Sequence, residues 1–457
     1  MRKYIYILGV LILFTSCKIG KEYTRMELDM PKNYPEYLGD TTCLADMKWW
    51  DIYADTNLRN LINSTLENNK DMKIAVAKVN EMAAKKQIDF ANYFPQINGS
   101  AYAQNEGLNY GGDDYGNDFE FGVKANISWE LDLWGNLRWA NEKSVAEYIS
   151  TVEGQRALMM SLVAEVAENY FDLIALDNEL RIVKQTLIAR EEGVSLAKIR
   201  FEGGLTSETS YQQAQLEYAI TAAMIPDLEK KIAIKENEIL KLAGTYPVKV
   251  ERIGMQNNLM LPDSIPLGLP SDLLERRPDV KMAEQKLIAA NASVGLTYTN
   301  MFPRIALNTN VGFETDEFMT MLSSPMFFIG ANLMSPIFNM NKNRNKHKAQ
   351  QFAYEQECYR YEKVVISAFY DVMNAMVEFN KIKEIYQTRQ LVEQSAKVTM
   401  ELAQLQYING VIGYLDVLDA QRNYFNAQIS LSNAYHDKQI TMVRLYKALG
   451  GGWEEIF

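Results

Sequence analysis

The sequence predicts a mainly α-helical protein built as a duplicated unit of β-hairpin plus long α-helical hairpin, with strands patterned as those of a transmembrane β-barrel are. Three observations lead there: an internal repeat along most of the chain, two long proline-free segments with heptad spacing, and four stretches of alternating polarity. The 457 residues are 47% hydrophobic and 23% charged, with a mean hydropathy of −0.23. That is an ordinary globular balance, which excludes a helical polytopic membrane protein.

In chain order, Arg2 and Lys3 precede an apolar run over 4–14, too short for a span that needs roughly 20 helical residues. The run predicts a signal peptide over 1–16. Thr15-Ser16-Cys17 looks like a lipobox, with cleavage before Cys17 and acylation of its thiol, although Phe14 stands where Leu is usual. An ordinary signal peptide with Cys17 incidental is the alternative. Cys43 and Cys358 remain, and Cys358 falls on a heptad position, so a small buried residue is expected there rather than a bridge.

The repeat fixes the organisation of everything that follows. Asp71-Met72-Lys73-Ile74-Ala75 matches Asp279-Val280-Lys281-Met282-Ala283 at an offset of 208, which also places Phe94-Pro95 on Phe302-Pro303. From Ala125-Asn126 against Ala331-Asn332 the offset is 206, and it holds through Gly204 and Gly410 to Gly244 and Gly450. Two residues are therefore missing between Phe302 and Ala331, where a tolerant loop is expected. The repeats cover about 50–250 and 265–453 of a mature chain, 17–457.

Each repeat opens with a short leading helix, about 60–93 and 279–300. Strands are expected at about 96–105, 119–133, 304–314 and 326–337. In the second of these, Phe121, Val123, Ala125, Ile127, Trp129 and Leu131 alternate with Gly122, Lys124, Asn126, Ser128 and Glu130. A polar link joins each pair, from Glu106 in the first repeat and from Glu314 to Pro325 in the second. Such alternation suits a membrane barrel, and equally a soluble sheet with one buried face. Four strands cannot enclose a lumen, because membrane barrels need at least about eight. As a barrel, the chain has to share its strands with an oligomer.

Segments 147–200 and 355–406 lack proline, and Cys358, Tyr361, Val365, Ala368, Val372, Ala375, Phe379, Ile382 and Tyr386 step by three and four. That is a coiled-coil seam. The first repeat keeps it as Met159, Leu162, Val166, Asn169, Leu173, Leu176 and Leu180. A helix from near Arg138 then runs about 60 residues, roughly 90 Å. Gly203-Gly204 and Gly410 with Gly413 break these helices into hairpin tips.

Several function classes are disfavoured. With 47 Lys+Arg against 58 Asp+Glu, no basic surface is available for nucleic acid. Only His347 and His436 occur among the histidines, and no catalytic triad, metal spacing or phosphate loop is visible, so neither enzyme activity nor a metal or other cofactor is expected. Pro278, after Glu275-Arg276-Arg277, suits the first turn of a helix. The 22 methionines are scattered and read as core filler.

Six stretches are family signatures: Trp49-Trp50-Asp51, Leu131-Asp132-Leu133-Trp134-Gly135, the segment from Leu269 to Asp279, Pro336-Ile337-Phe338, the segment from Tyr414 to Arg422, and the segment from Leu445 to Trp453. On these the chain resembles the TolC-like outer-membrane efflux proteins, most closely the lipoprotein (NodT-type) branch. The resemblance implies a homotrimer closing one 12-stranded β-barrel in the outer membrane and one 12-helix α-barrel in the periplasm of a Gram-negative bacterium. It implies a passive exit duct of a tripartite efflux system, opened at its helix tips by an adaptor and an inner-membrane pump. Matched residue by residue, the pore constriction falls on Leu415 and Asp419, with Asp416 a further candidate. A basic residue often precedes the tip tyrosine in the family, but here Gln406 precedes Tyr407, so the resemblance carries no salt-bridge latch. A lipid-anchored periplasmic coiled-coil adaptor is the alternative, one that has no need of amphipathic strands.

Overall fold

A computed structural model describes residues 18–31, 34, 44, 55–108, 116–252 and 269–452. The signal peptide, Cys17, Cys43, Trp49-Trp50-Asp51 and Trp453 lie outside the described residues. Within these residues seven main helices and four strands follow in order: α1 (Thr56–Asn68), α2 (Lys70–Ala91), β1 (Gln96–Leu108), β2 (Gly116–Leu131), α3 (Asn136–Glu202), α4 (Glu208–Leu242), α5 (Pro278–Thr299), β3 (Arg304–Thr315), β4 (Pro325–Met334), α6 (Lys342–Ile408) and α7 (Tyr414–Ala448). The duplication is kept to the residue: α3 and α6 both have 67 residues, α4 and α7 both 35. Among the described residues no helix is long and apolar enough to cross a membrane.

The chain forms two compact units, each drawn from both repeats: 1–28, 77–153 and 281–363 in one, and 29–76, 154–280 and 364–457 in the other. The first holds a four-stranded antiparallel sheet in the order β1-β2-β3-β4. Its register puts Phe121, Thr315 and Ala103 on one face, followed by Val123 with Phe313 and Ala101, and Trp129 with Leu307. This apolar face is open: Val311 is 53% exposed and Phe327 79%. On the opposite face Lys124 pairs with Glu314 at 2.7 Å, Tyr102 donates to Glu120 at 2.6 Å, and Asn126 donates to Ser100 at 2.9 Å. From Phe121 to Leu131 the apolar row runs about 33 Å along the strand; at a tilt of about 40° that is roughly the 25 Å height of a barrel's lipid-facing band. Phe90, Phe94 and Trp129 are exposed where the row ends, as an aromatic girdle is.

The second unit has a closed core. Leu58 and Ile62 of α1 are fully buried with Tyr170 of α3, Val372 of α6 and Leu445 of α7. Tyr361, Val365, Ala368, Val372, Ala375, Phe379 and Ile382 of the seam are buried along α6, Tyr361 alone of them in the other unit, while Cys358 is a half-buried free thiol. Along α3 the buried set is wider than one seam, adding Val163, Ala167 and Phe171. The polar seam member Asn169 accepts from Lys235 at 3.0 Å.

Several boundaries differ from expectation for local reasons. The first leading helix is two, α1 and α2, because Asn69 donates to the Leu242 carbonyl (2.8 Å) and accepts from Met72 N–H (3.0 Å), ending one helix and starting the next. Strand β2 stops at Leu131 rather than 133, since Asp132 turns to accept from Leu137 N–H at 3.0 Å and pairs with Arg138, capping α3. Strand β4 stops at Met334, two residues before Pro336. The second link, read as polar, carries Phe318, Met319 and Leu322 exposed in a 3₁₀ turn, Phe318–Ser323. The charged run before α5 is structural: Arg277 is buried, pairs with Asp279 and Asp371 and donates to the Ala448 carbonyl at 3.1 Å.

Candidate functional site at the helix tips

Each helical hairpin turns through the same backbone device. At the first tip Leu205 N–H donates to the Arg200 carbonyl (2.8 Å) and Gly204 N–H to Phe201 (2.9 Å); at the second, Val411 N–H donates to Gln406 (2.9 Å) and Gly410 N–H to Tyr407 (3.0 Å). This is the Schellman arrangement, which needs a left-handed residue. Gly204 and Gly410 supply it at φ 72° and 75°. Gly203 is the residue before that position, and Gly413 is the N-cap of α7 in ordinary extended conformation, φ −78°.

A small apolar cluster holds the tips together. Tyr407, Tyr414, Val417 and Leu418 bury against Ala197 and Ala214, with the two tyrosine rings 5.3 Å apart. Burial pushes the Tyr414 phenol up to about 12. Arg200, at the end of α3, lies over the Tyr407 ring (4.6 Å) and donates to the Tyr407 carbonyl at 3.2 Å. A cation there complements the carbonyl end of α6.

Further along the helices, toward the core, sits an ion triad. Glu217 of α4 and Arg190 of α3 are both about 7% exposed and paired, while Arg422 of α7 donates to Glu217 Oε1 at 2.9 Å. Arg190 also donates to the Glu217 carbonyl at 2.7 Å. Burial by itself raises the Glu217 carboxyl, but the hydrogen bond and charge of Arg422 and the charge of Arg190 outweigh it and hold the group below the usual carboxylate range. Sequence reasoning missed this triad and Arg200. For Arg200 a signal was available: 206 residues before Gln406, it is the basic residue preceding the tip aromatic of the first repeat.

The sequence-selected residues of α7 divide between two tasks. The Asp416 carboxylate accepts from Gly413 N–H at 3.0 Å, so it caps the helix. Leu415, 63% exposed, and Asp419, also exposed, lie one turn apart on one face, opposite the buried Val417. Asn423 donates to Asp419 at 3.1 Å. Among the described residues no cluster of His, Cys, Asp and Glu is arranged to hold a metal ion.

In the sheet-bearing unit, the residues that follow Cys17 are pinned beside the start of α3. Ile19 N–H donates to the Trp134 carbonyl (3.1 Å), Trp139 Nε1 donates to the Ile19 carbonyl (2.8 Å), and the Lys18 ammonium sits 3.6 Å from the Trp139 ring centre.

The family model described as outer membrane efflux protein matches residues 61–245 and 269–451, well over half of the chain. The chain is 28% identical over 452 residues to the cation efflux system protein CusC of Escherichia coli O6:H1, covering 98% of both. To the solvent efflux pump outer membrane protein SrpC of Pseudomonas putida it is 29% identical over 466 residues, covering 97% of both. A crystal structure of CusC superposes with a TM-score of 0.86 at 27% identity, covering 95% of this chain and all of that one.

Proposed function

This chain belongs to the outer membrane efflux protein family and is an outer-membrane exit duct of a tripartite efflux system, and we propose that three copies of it form one conduit whose periplasmic aperture is set by Leu415 and Asp419. Closure of the sheet calls for more than one copy, and the resemblance sets the number at three. Strands β1 and β4 have no outer neighbour within the described residues, and three copies give 12 strands, above the minimum of about eight for a membrane barrel. With its apolar face turned to lipid, the sheet has no place in a periplasmic adaptor, so that alternative is set aside.

The observation that carries the gate assignment is the division of labour on α7: Asp416 is committed to Gly413, while Leu415 and Asp419 stay exposed on one face. Three symmetry copies of Asp419 around an axis attract cations and repel one another. The adaptor and inner-membrane pump act by spreading these tips. Relatives of equal similarity are named for cations and for solvents, so we place cargo selection in the pump rather than in this duct.

We further assign covalent acylation to Cys17. What supports it is the docking of Lys18 and Ile19 against Trp134 and Trp139, a few residues beyond the end of β2 that leads into α3.

Conductance in planar bilayers tests the gate: the purified protein conducts poorly and Asp419→Ala conducts more. A water-soluble, non-conducting monomer overturns the proposal. Carbonate extraction of Cys17→Ser tests the barrel separately, since a spanning barrel stays in the membrane without its acyl chains.

A further inference from the structure

The link between β3 and β4, residues 316–324, sits at the end of the sheet away from α3 and α6, and it folds out over the apolar face. Its 3₁₀ turn packs on β3 and β2. The Phe318 ring meets Phe121 edge-on at 5.5 Å, and Phe121 belongs to the apolar row. The link satisfies much of its own polarity: Glu314 N–H donates to the Ser324 carbonyl (3.2 Å), Thr320 to Glu317 (2.9 Å), Ser323 to Thr320 (2.6 Å), and the Thr315 and Thr320 hydroxyls lie 3.1 Å apart. Only a segment that pairs its polar groups internally can enter lipid at low cost. Its turn exposes large apolar side chains, Met319 at 91%, Leu322 at 75% and Phe318 at 63%, while the charged Asp316 and Glu317, also exposed, precede the turn. The turn covers the two central strands, not the edges β1 and β4 where a strand of another copy adds. The corresponding first link reads Asn109-Tyr110-Gly111-Gly112-Asp113-Asp114-Tyr115, so this chemistry is not inherited from the repeat.

We infer that the 3₁₀ turn, residues 318–323, forms a lipid-inserted flap, with Phe318, Met319 and Leu322 among the acyl chains of the outer leaflet and Asp316 and Glu317 left at the headgroups, lengthening the apolar belt beyond β2 and β3. The inference rests on the barrel reading above, through continuity with its lipid-facing surface.

The test is a nitrobenzoxadiazole label on Met319→Cys, with Cys43 and Cys358 replaced by Ser, in phosphatidylethanolamine/phosphatidylglycerol vesicles. The same protein without the residue-319 cysteine sets the background. A parallel Val311→Cys label reports the barrel face itself. Nitroxide groups on shallow acyl positions should remove more than half of the emission at both sites, and aqueous iodide should leave both nearly unchanged. Iodide quenching at 319 with acyl quenching at 311 overturns the flap and spares the barrel. Iodide quenching at both overturns the two together.

Discussion

At the first tip the chain passes from α3 to α4 through residues 203–207; at the second it passes from α6 to α7 through residues 409–413, with the same two hydrogen bonds and the same left-handed glycine. The side chains then part. Where α7 carries Leu415, Asp416 and Asp419, α4 carries Thr209, Ser210 and Gln213; where α3 ends on Arg200-Phe201, α6 ends on Gln406-Tyr407. The duplicated backbone is held by helix ends and one glycine, which leaves the exposed positions free to diverge. The first tip thereby became a brace, reaching across with Arg200 to the end of α6, and the second carries the exposed carboxylate.

The largest break in this comparison comes from the residue that joins the hairpins. Glu217→Ala leaves Arg190 buried without its carboxylate and releases Arg422, so a loss of about 3–5 kcal/mol is expected, read by thermal unfolding in detergent. The sign with pH follows from the depressed carboxyl: its contribution is present above the unfolded value of about 4.3 and fades as pH falls through the lower folded value. Wild type and Glu217→Ala should therefore converge in acid. Equal losses at pH 7 and in strong acid contradict the triad.

Next in size is a test of sameness. A Cβ at Gly204 or at Gly410 meets nothing within 4 Å, so Ala at either position should cost only the left-handed backbone penalty, about 1–2 kcal/mol. The two losses should agree; a clearly larger one at Gly410 means that its Cβ is excluded by another copy of the chain.

Smaller again is the cap. Asp416→Ala removes an N-terminal hydrogen bond and should cost about 1 kcal/mol, while Ser210→Ala at the equivalent place should stay within about 0.5 kcal/mol. Chemical denaturation of the two variants side by side reads the difference.

Most of the fold was legible because the repeat multiplies weak signals. An offset of 206 reproduces both long helices residue for residue, and alternation through Phe121 to Leu131 gives a face that no average hydropathy displays. The break at Asn69 was not legible, since its cause is a carbonyl of Leu242 that lies 173 residues away. The flap was misread because its ends are polar: Glu314, Asp316 and Glu317 mask Phe318, Met319 and Leu322. At the tip, glycines and exposed positions follow from helix periodicity, whereas the Arg190-Glu217-Arg422 triad joins three helices whose alignment the sequence does not specify.

The smallest effect on stability belongs to the residue with the largest proposed role. Asp419 is exposed, so Asp419→Ala should change stability by no more than about 0.5 kcal/mol while raising conductance, and Gln213→Ala, its counterpart on the first tip, should change neither. Salt separates charge from bulk. The Debye length falls from about 10 Å at 0.1 M to about 3 Å at 1 M, so an electrostatic contribution of three carboxylates shrinks in high salt, and with it the gap between wild type and Asp419→Ala. Leu415→Ala opens the aperture by volume, and its gain should persist at both concentrations. A salt-independent gain for Asp419→Ala would make the carboxylate a steric plug, and the two tips would then differ in size rather than in charge.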